Sequence, residues 1–214
     1  MHSFPQSPFL IDGPTGQLEI AIDIPKTASL KPIIGIICHP HPLYSGTMQN
    51  KVVTSISWAF NQLDVVAFRF NYRGVGRSEG SYGNFVGEQD DLRCIIDYAK
   101  SYFPDHAIWL AGFSFGSFIS ASVAQTEPLT THLLSVAPAV NHADFYNLTQ
   151  VECPWSVIQG EQDDVVPPEE VYAWADAFKD RVNLKKIPLA NHFFHGQIVT
   201  LRQAVIDEMS IDLK

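Results

Sequence analysis

Residues 107–125 read AIWLAGFSFGSFISASVAQ, and this stretch decides the fold. Ala107–Ala111 is a short apolar run suited to a strand buried on both faces, while Phe115–Gln125 is a run of mostly small residues suited to a helix. Between them lies Gly112-Phe113-Ser114-Phe115-Gly116. A sharp strand-to-helix turn leaves no space for side chains two positions to either side of its apex, so glycine flanks and a central serine mark a strained turn that exposes a hydroxyl. Ser114 is therefore the candidate nucleophile. Ser117 and the small residues beyond it let the helix approach the sheet.

Outward from this junction, strands alternate with helices. Leu18–Ile24, Ile33–Cys38, Val65–Phe70, Leu133–Ala137, Trp155–Gln159 and Val182–Ile187 read as strands, with Pro25–Pro32 a turn. Gln49–Leu63, Asp90–Phe103, Glu169–Lys179 and Gln197–Met209 read as helices with one apolar face. The pattern predicts an α/β fold with a mostly parallel central sheet and helices on both faces. Ligands of such sheets sit beyond the carboxyl ends of the strands, so the loops after each strand are where chemistry is expected. With no repeat, linker or low-complexity segment, a single domain over residues 1–214 is expected.

Composition narrows the class. The 214 residues are 46% hydrophobic and only 17% charged, which favours a packed core over disorder. Lys and Arg number 14 against 23 Asp and Glu, for a net charge of −9, which disfavours nucleic-acid binding through phosphates. No apolar run approaches a membrane span, and Met1–Phe9 has two prolines and no Lys or Arg, unlike a secretory signal or transit peptide. Three cysteines without a paired spacing (Cys38, Cys94 and Cys153) read as buried fillers in a reducing compartment. A cytoplasmic protein without a membrane partner is expected.

The elbow around Ser114 resembles that of the α/β-hydrolase superfamily, and especially its small predicted bacterial hydrolases. Their HPHP, RGVGRS and HFFHG motifs correspond to His39-Pro40-His41-Pro42, Arg73-Gly74-Val75-Gly76-Arg77-Ser78 and His192-Phe193-Phe194-His195-Gly196. The resemblance spans residues 18–200. It implies an α/β-hydrolase fold and a serine hydrolase.

A serine hydroxyl is a weak nucleophile until an imidazole takes its proton, and the imidazole needs an acceptor to fix its tautomer. In the hydrolase fold these partners follow the serine in the order acid, then histidine. His132 begins a strand, on the wrong edge of the sheet, and His142 precedes the acids after the next strand. His192 follows the last strand and is the expected base, with His195 a structural or pocket-wall residue. In Gly160-Glu161-Gln162-Asp163-Asp164-Val165-Val166-Pro167, the family pattern G-x-x-D-x-x-V-P falls on Asp163. Asp164 and Glu161 remain rivals, with Asp144 behind them.

A tetrahedral oxyanion needs backbone N–H donors. Phe115 would supply one. The other belongs to the loop after Ile33–Cys38, where Pro40 and Pro42 have no N–H, leaving His41 first and Leu43 next. His39 and His41 also form an HxH pair, but further ligands at metal-site spacing are missing, so no metal is expected. Gly74–Gly80 has GxGxxxG spacing rather than a dinucleotide fingerprint, and reads as a turn. Arg73 and Arg77 are expected in salt bridges within that loop.

Residues 138–154 leave no room for the helical lid many relatives insert, so an open site without a cap domain is expected. Tyr44, Phe113 and Phe193 are expected to line an apolar substrate groove. Phe115, Trp155 and Phe194 also neighbour the motifs. Together these readings predict a metal-independent, carboxylesterase-like enzyme with no cofactor, acting on small to medium esters or thioesters. Thioesterase, peptidase and acyltransferase chemistry would use the same residues. The alternative from another class is a catalytically silent hydrolase fold serving as a binding module.

Overall fold

Eight strands and five helices account for most of residues 7–27 and 29–213, the part of the chain described by this computed structural model. The strands are β1 (Phe9–Gly13), β2 (Gly16–Asp23), β3 (Ile33–Cys38), β4 (Val66–Phe70), β5 (Ala107–Phe113), β6 (Thr130–Val136), β7 (Trp155–Gly160) and β8 (Val182–Ile187). The helices are α1 (Lys51–Gln62), α2 (Val86–Tyr102), α3 (Phe115–Ala124), α4 (Pro168–Ala177) and α5 (Ile198–Met209). Most of the segment Met1–Phe9 lies outside the described residues, as does Ala28 within the turn Pro25–Pro32.

The strands form one sheet in the order β1-β2-β4-β3-β5-β6-β7-β8. Pairing is antiparallel at β1–β2 and β2–β4 and parallel from β4 to β8. The chain steps from β3 to β4 on one side, then crosses back through α2 to β5 on the other. That reversal falls at the carboxyl ends of β3 and β5, where an α/β sheet is expected to hold its ligand.

Each face of the sheet carries its own core. On one, Ile34 and Ile36 share a cluster with Ile95 of α2, Ile119 of α3 and Trp174 of α4. On the other, Ile33 and Ile37 share a cluster with Ile56 and Phe60 of α1 and Leu201 and Val205 of α5. Gly35 lies between Ile33 and Ile37 on the α1 face, and a Cβ there would lie 2.2 Å from the Phe60 ring. The continuous apolar pattern of Ile33–Cys38 thus reflects burial on both faces. Among the described residues, no helix is long and apolar enough to cross a membrane.

Several boundaries differ from the sequence reading; β6, for one, begins at Thr130 rather than Leu133. β1 was not expected; it is a short edge strand paired with β2. α2 begins at Val86 rather than Asp90, with Gly87 and Glu88 buried in its first turn. β5 continues two residues beyond Ala111, carrying the sheet up to the turn at Ser114. Between β6 and β7 the chain makes only a short 3-10 turn at Phe145–Asn147, and no cap domain covers the sheet.

Candidate active site

Ser114 sits at the end of β5 and the start of α3 with φ 53° and ψ −117°, a strained backbone for a residue with a side chain. The flanking glycines explain how it is tolerated. A Cβ on Gly112 would lie 2.2 Å from the Gly116 carbonyl oxygen, and one on Gly116 would lie 2.4 Å from that of Cys38. The elbow is pinned by the Ser114 N–H donating to the Val136 carbonyl at 2.9 Å and by Ser117 Oγ donating to that of Gly112 at 2.8 Å.

Two loops further along the sheet bring His192 and Asp163 together. His192 follows β8, and its Nδ1 lies 2.8 Å from Asp163 Oδ2 in the loop after β7. The other carboxylate oxygen accepts the N–H groups of Val165 at 2.9 Å and Val166 at 2.8 Å, and Gln159 Nε2 donates to Oδ2 at 3.0 Å. Burial pushes the Asp163 pKa up, but the hydrogen bond from His192 and the backbone donors outweigh it and hold the carboxyl below its ordinary value. An ionised, fixed carboxylate selects the His192 tautomer with its proton on Nδ1, leaving Nε2 as the basic nitrogen. The imidazole rests on the Phe113 ring at 5.0 Å, next to Ser114 in the chain. Among the described residues, Ser114 Oγ makes no hydrogen bond of its own.

The rivals are placed elsewhere. Glu161, Asp164 and Asp144 are exposed, and the Asp144 carboxylate accepts from Asn147 Nδ2. His132 is buried within β6 near Ser156 Oγ, and exposed His195 binds Asn191 through its backbone N–H. His142 is exposed in the loop after β6.

The loop after β3 faces the elbow. The two histidines of its HxH pair have separate duties. Buried His39 donates from Nδ1 to the Pro40 carbonyl at 2.6 Å and accepts the Tyr72 N–H on Nε2 at 3.1 Å, so both nitrogens are engaged. Burial pushes its pKa down to about 3, which keeps the ring neutral. The His41 ring accepts the Leu43 N–H at 3.2 Å, which takes Leu43 out of reach as an oxyanion donor. Among the described residues the N–H groups of His41 and Phe115 have no acceptor, and the two side chains meet at a ring separation of 4.7 Å. No group of three His, Cys, Asp or Glu is arranged to hold a metal ion among the described residues.

The expected groove residues divide. Tyr44 is 82% exposed and Phe193 42% exposed at the rim, whereas Phe113 is wholly buried. Phe113 backs the imidazole, and this corrects its expected place in a substrate groove. Trp155 and Phe194 are core. The loop Arg73–Gly80 is a turn, but its arginines reach outside it. Arg73 pairs with Asp91 of α2 at 2.7 Å and Arg77 with Glu19 of β2 at 3.4 Å, correcting the expectation of salt bridges within the loop. The sequence reading missed Tyr82 and Phe85. They stand beside His41 and Phe115, and the one signal for them was a pair of aromatics inside a glycine- and asparagine-bearing turn.

A glycine-flanked serine on a strand-to-helix turn, with a buried Asp–His pair on later loops of the same parallel sheet, defines a class. The chain belongs to the α/β-hydrolase superfamily and is a hydrolase of its lidless type. The family model described as Serine aminopeptidase, S33, matches residues 44–148. An alpha-beta serine hydrolase homologue from Coxiella burnetii is 45% identical, covering 97% of this chain and 99% of that one at a TM-score of 0.92. A serine hydrolase without lid from Xanthomonas campestris is 37% identical over 96% of this chain and 95% of its own, at a TM-score of 0.89. An uncharacterized protein of Rickettsia prowazekii is 31% identical over 205 residues, 92% of this chain and 85% of its own.

Proposed function

We propose that the chain hydrolyses carboxylic ester or thioester bonds of small to medium acyl substrates through a Ser114–His192–Asp163 triad, without a metal. The buried 2.8 Å contact between His192 and Asp163 carries this reading, because it readies Nε2 to accept a proton beside the elbow. Ser114 Oγ attacks the substrate carbonyl carbon as its proton passes to His192 Nε2. The oxyanion is held by the N–H groups of Phe115 and His41. Collapse expels the alcohol or thiol, which takes the proton from His192, and leaves an acyl-enzyme. Water, deprotonated by His192, then attacks the acyl carbon; Ser114 regains the proton and the acid departs.

The same reading assigns residues 1–214 to one hydrolase domain, working in the cytoplasm on a small-molecule substrate. The absence of an inserted lid supports modest, water-accessible acyl groups over enclosed lipids. Peptide-bond hydrolysis is the second reading, favoured by the description of the matching family, and it would use the same residues. A panel of p-nitrophenyl esters, acyl thioesters and aminoacyl anilides, assayed with wild type and Ser114→Ala, tests both. Ester or thioester turnover that Ser114→Ala abolishes supports the first reading; turnover of anilides alone supports the second. Equal turnover by the variant would refute both.

A further inference from the structure

Phe85 occupies a position where local rules ask for another residue. It is the N-cap of α2 yet makes no side-chain cap, and its φ of 71° lies in the left-handed region, as does that of Asn84 at 53°. Asparagine or glycine would sit there without strain, and serine or aspartate would cap the helix. What overrides these preferences is the ring's position. It lies 4.9 Å from the Phe115 ring and 5.5 Å from that of Phe118, with His41 and Tyr82 each at 6.5 Å.

Phe85 is partly buried against the core, and the segment that carries it is anchored by buried groups. Buried Glu88 accepts the Gly83 N–H at 2.7 Å. A Cβ on Gly83 would lie 2.6 Å from Gly87 Cα, and one on Gly87 would lie 2.5 Å from Arg73 Nη1. Arg73 is in turn clamped to Asp91 through Nε and Nη2. The turn is stacked, layer on layer, on a buried ion pair.

Direction then follows from chemistry, on the mechanism proposed above. His192 must protonate the departing oxygen or sulfur, so the leaving group lies on the imidazole side, with Phe193. The acyl group lies across Ser114, on the side of His41, Tyr82 and Phe85. We infer that Phe85 is the acyl-side specificity residue, presenting a ring to a flat, uncharged aromatic acyl group. Edge-to-face and offset contacts between rings favour such a group, and burial against apolar rings disfavours a charged one.

The test compares kcat/KM for p-nitrophenyl benzoate and p-nitrophenyl acetate in wild type, Phe85→Ala, Phe85→Leu and Phe85→Tyr. The benzoate-to-acetate ratio should fall about tenfold or more in Phe85→Ala and Phe85→Leu, chiefly through a higher KM for benzoate, and return to within about threefold of wild type in Phe85→Tyr. The leucine variant keeps apolar bulk, so it reports on the ring even where alanine unfolds the turn. A ratio within about twofold of wild type in the folded variants would overturn the assignment. Failure of wild type to turn over either ester would instead overturn the ester-cleaving reading beneath it, and the role of Phe85 with it.

Discussion

Asp163 and His192 meet at 2.8 Å with 0% and 3% of their side chains exposed, although they lie on separate loops after β7 and β8. Water is thereby excluded from the one contact that sets which imidazole nitrogen is basic. The carboxylate has no freedom to turn away, because its other oxygen is held by the Val165 and Val166 N–H groups.

Asp163→Asn should therefore cost about three to four orders of magnitude in kcat, since an amide NH₂ facing Nδ1 favours the wrong tautomer. Asp164→Asn, one residue on but exposed, should leave kcat within a factor of about two. Steady-state assays of both variants check the assignment, and a larger loss in the Asp164 variant would reverse it.

The oxyanion contribution of His41 is separable from that of its ring. Its backbone has φ −52° and ψ 124°, a conformation proline adopts without strain. His41→Pro removes the N–H together with the ring, and His41→Ala removes the ring alone. We expect kcat for His41→Pro to fall about 10²–10³-fold below that of His41→Ala. Equal rates in the two variants would assign the second oxyanion donor elsewhere.

His39 gives the fold a pH dependence of its own. Its folded pKa of about 3 lies below the ordinary 6.5, so between those values the unfolded chain binds the extra proton. Stability from this group is complete above about pH 6.5 and falls by about 1.4 kcal/mol per unit as pH drops towards 3. Asp163 and Asp23, whose carboxyls are held below their ordinary values, add a loss of stability only below about pH 4. Denaturant melts from pH 7 to 4.5 should show a steep decline in wild type and a shallower one in His39→Gln.

The buried Arg73–Asp91 pair predicts a structural phenotype. Asp91→Ala strands the guanidinium and should destabilise the fold by about 3–5 kcal/mol. Urea denaturation measures this directly, and a loss below about 1 kcal/mol would mean that the pair is dispensable.

Much of this architecture was legible because a single constraint governed each stretch. Ile33–Cys38 had to be apolar throughout, and Gly112 and Gly116 had no alternative at the elbow. Asp163 and His192 were singled out through loop order and family pattern, whereas the contact between them depends on the packing of two distant turns. Phe113 was misplaced because adjacency in sequence to Ser114 says nothing about which face a strand residue takes; at the end of β5 it points into the core shared with α5. Tyr82 and Phe85 were passed over because glycine and asparagine beside them signal a turn, and only tertiary packing on Phe115 gives those rings a purpose. The first turn of α2 was hidden for a related reason, since Gly87 is there to admit the Arg73 guanidinium.

The central claim is an activated serine at position 114. Reaction of the intact chain with a fluorophosphonate probe, followed by peptide mass spectrometry, tests it most directly, with Ser114→Ala and His192→Ala in parallel. The account predicts one phosphonylated residue, Ser114, with no labelling of the alanine variant and strongly slowed labelling when His192 is lost. Folded wild-type protein that takes up no probe, or takes it up at another residue, would contradict it.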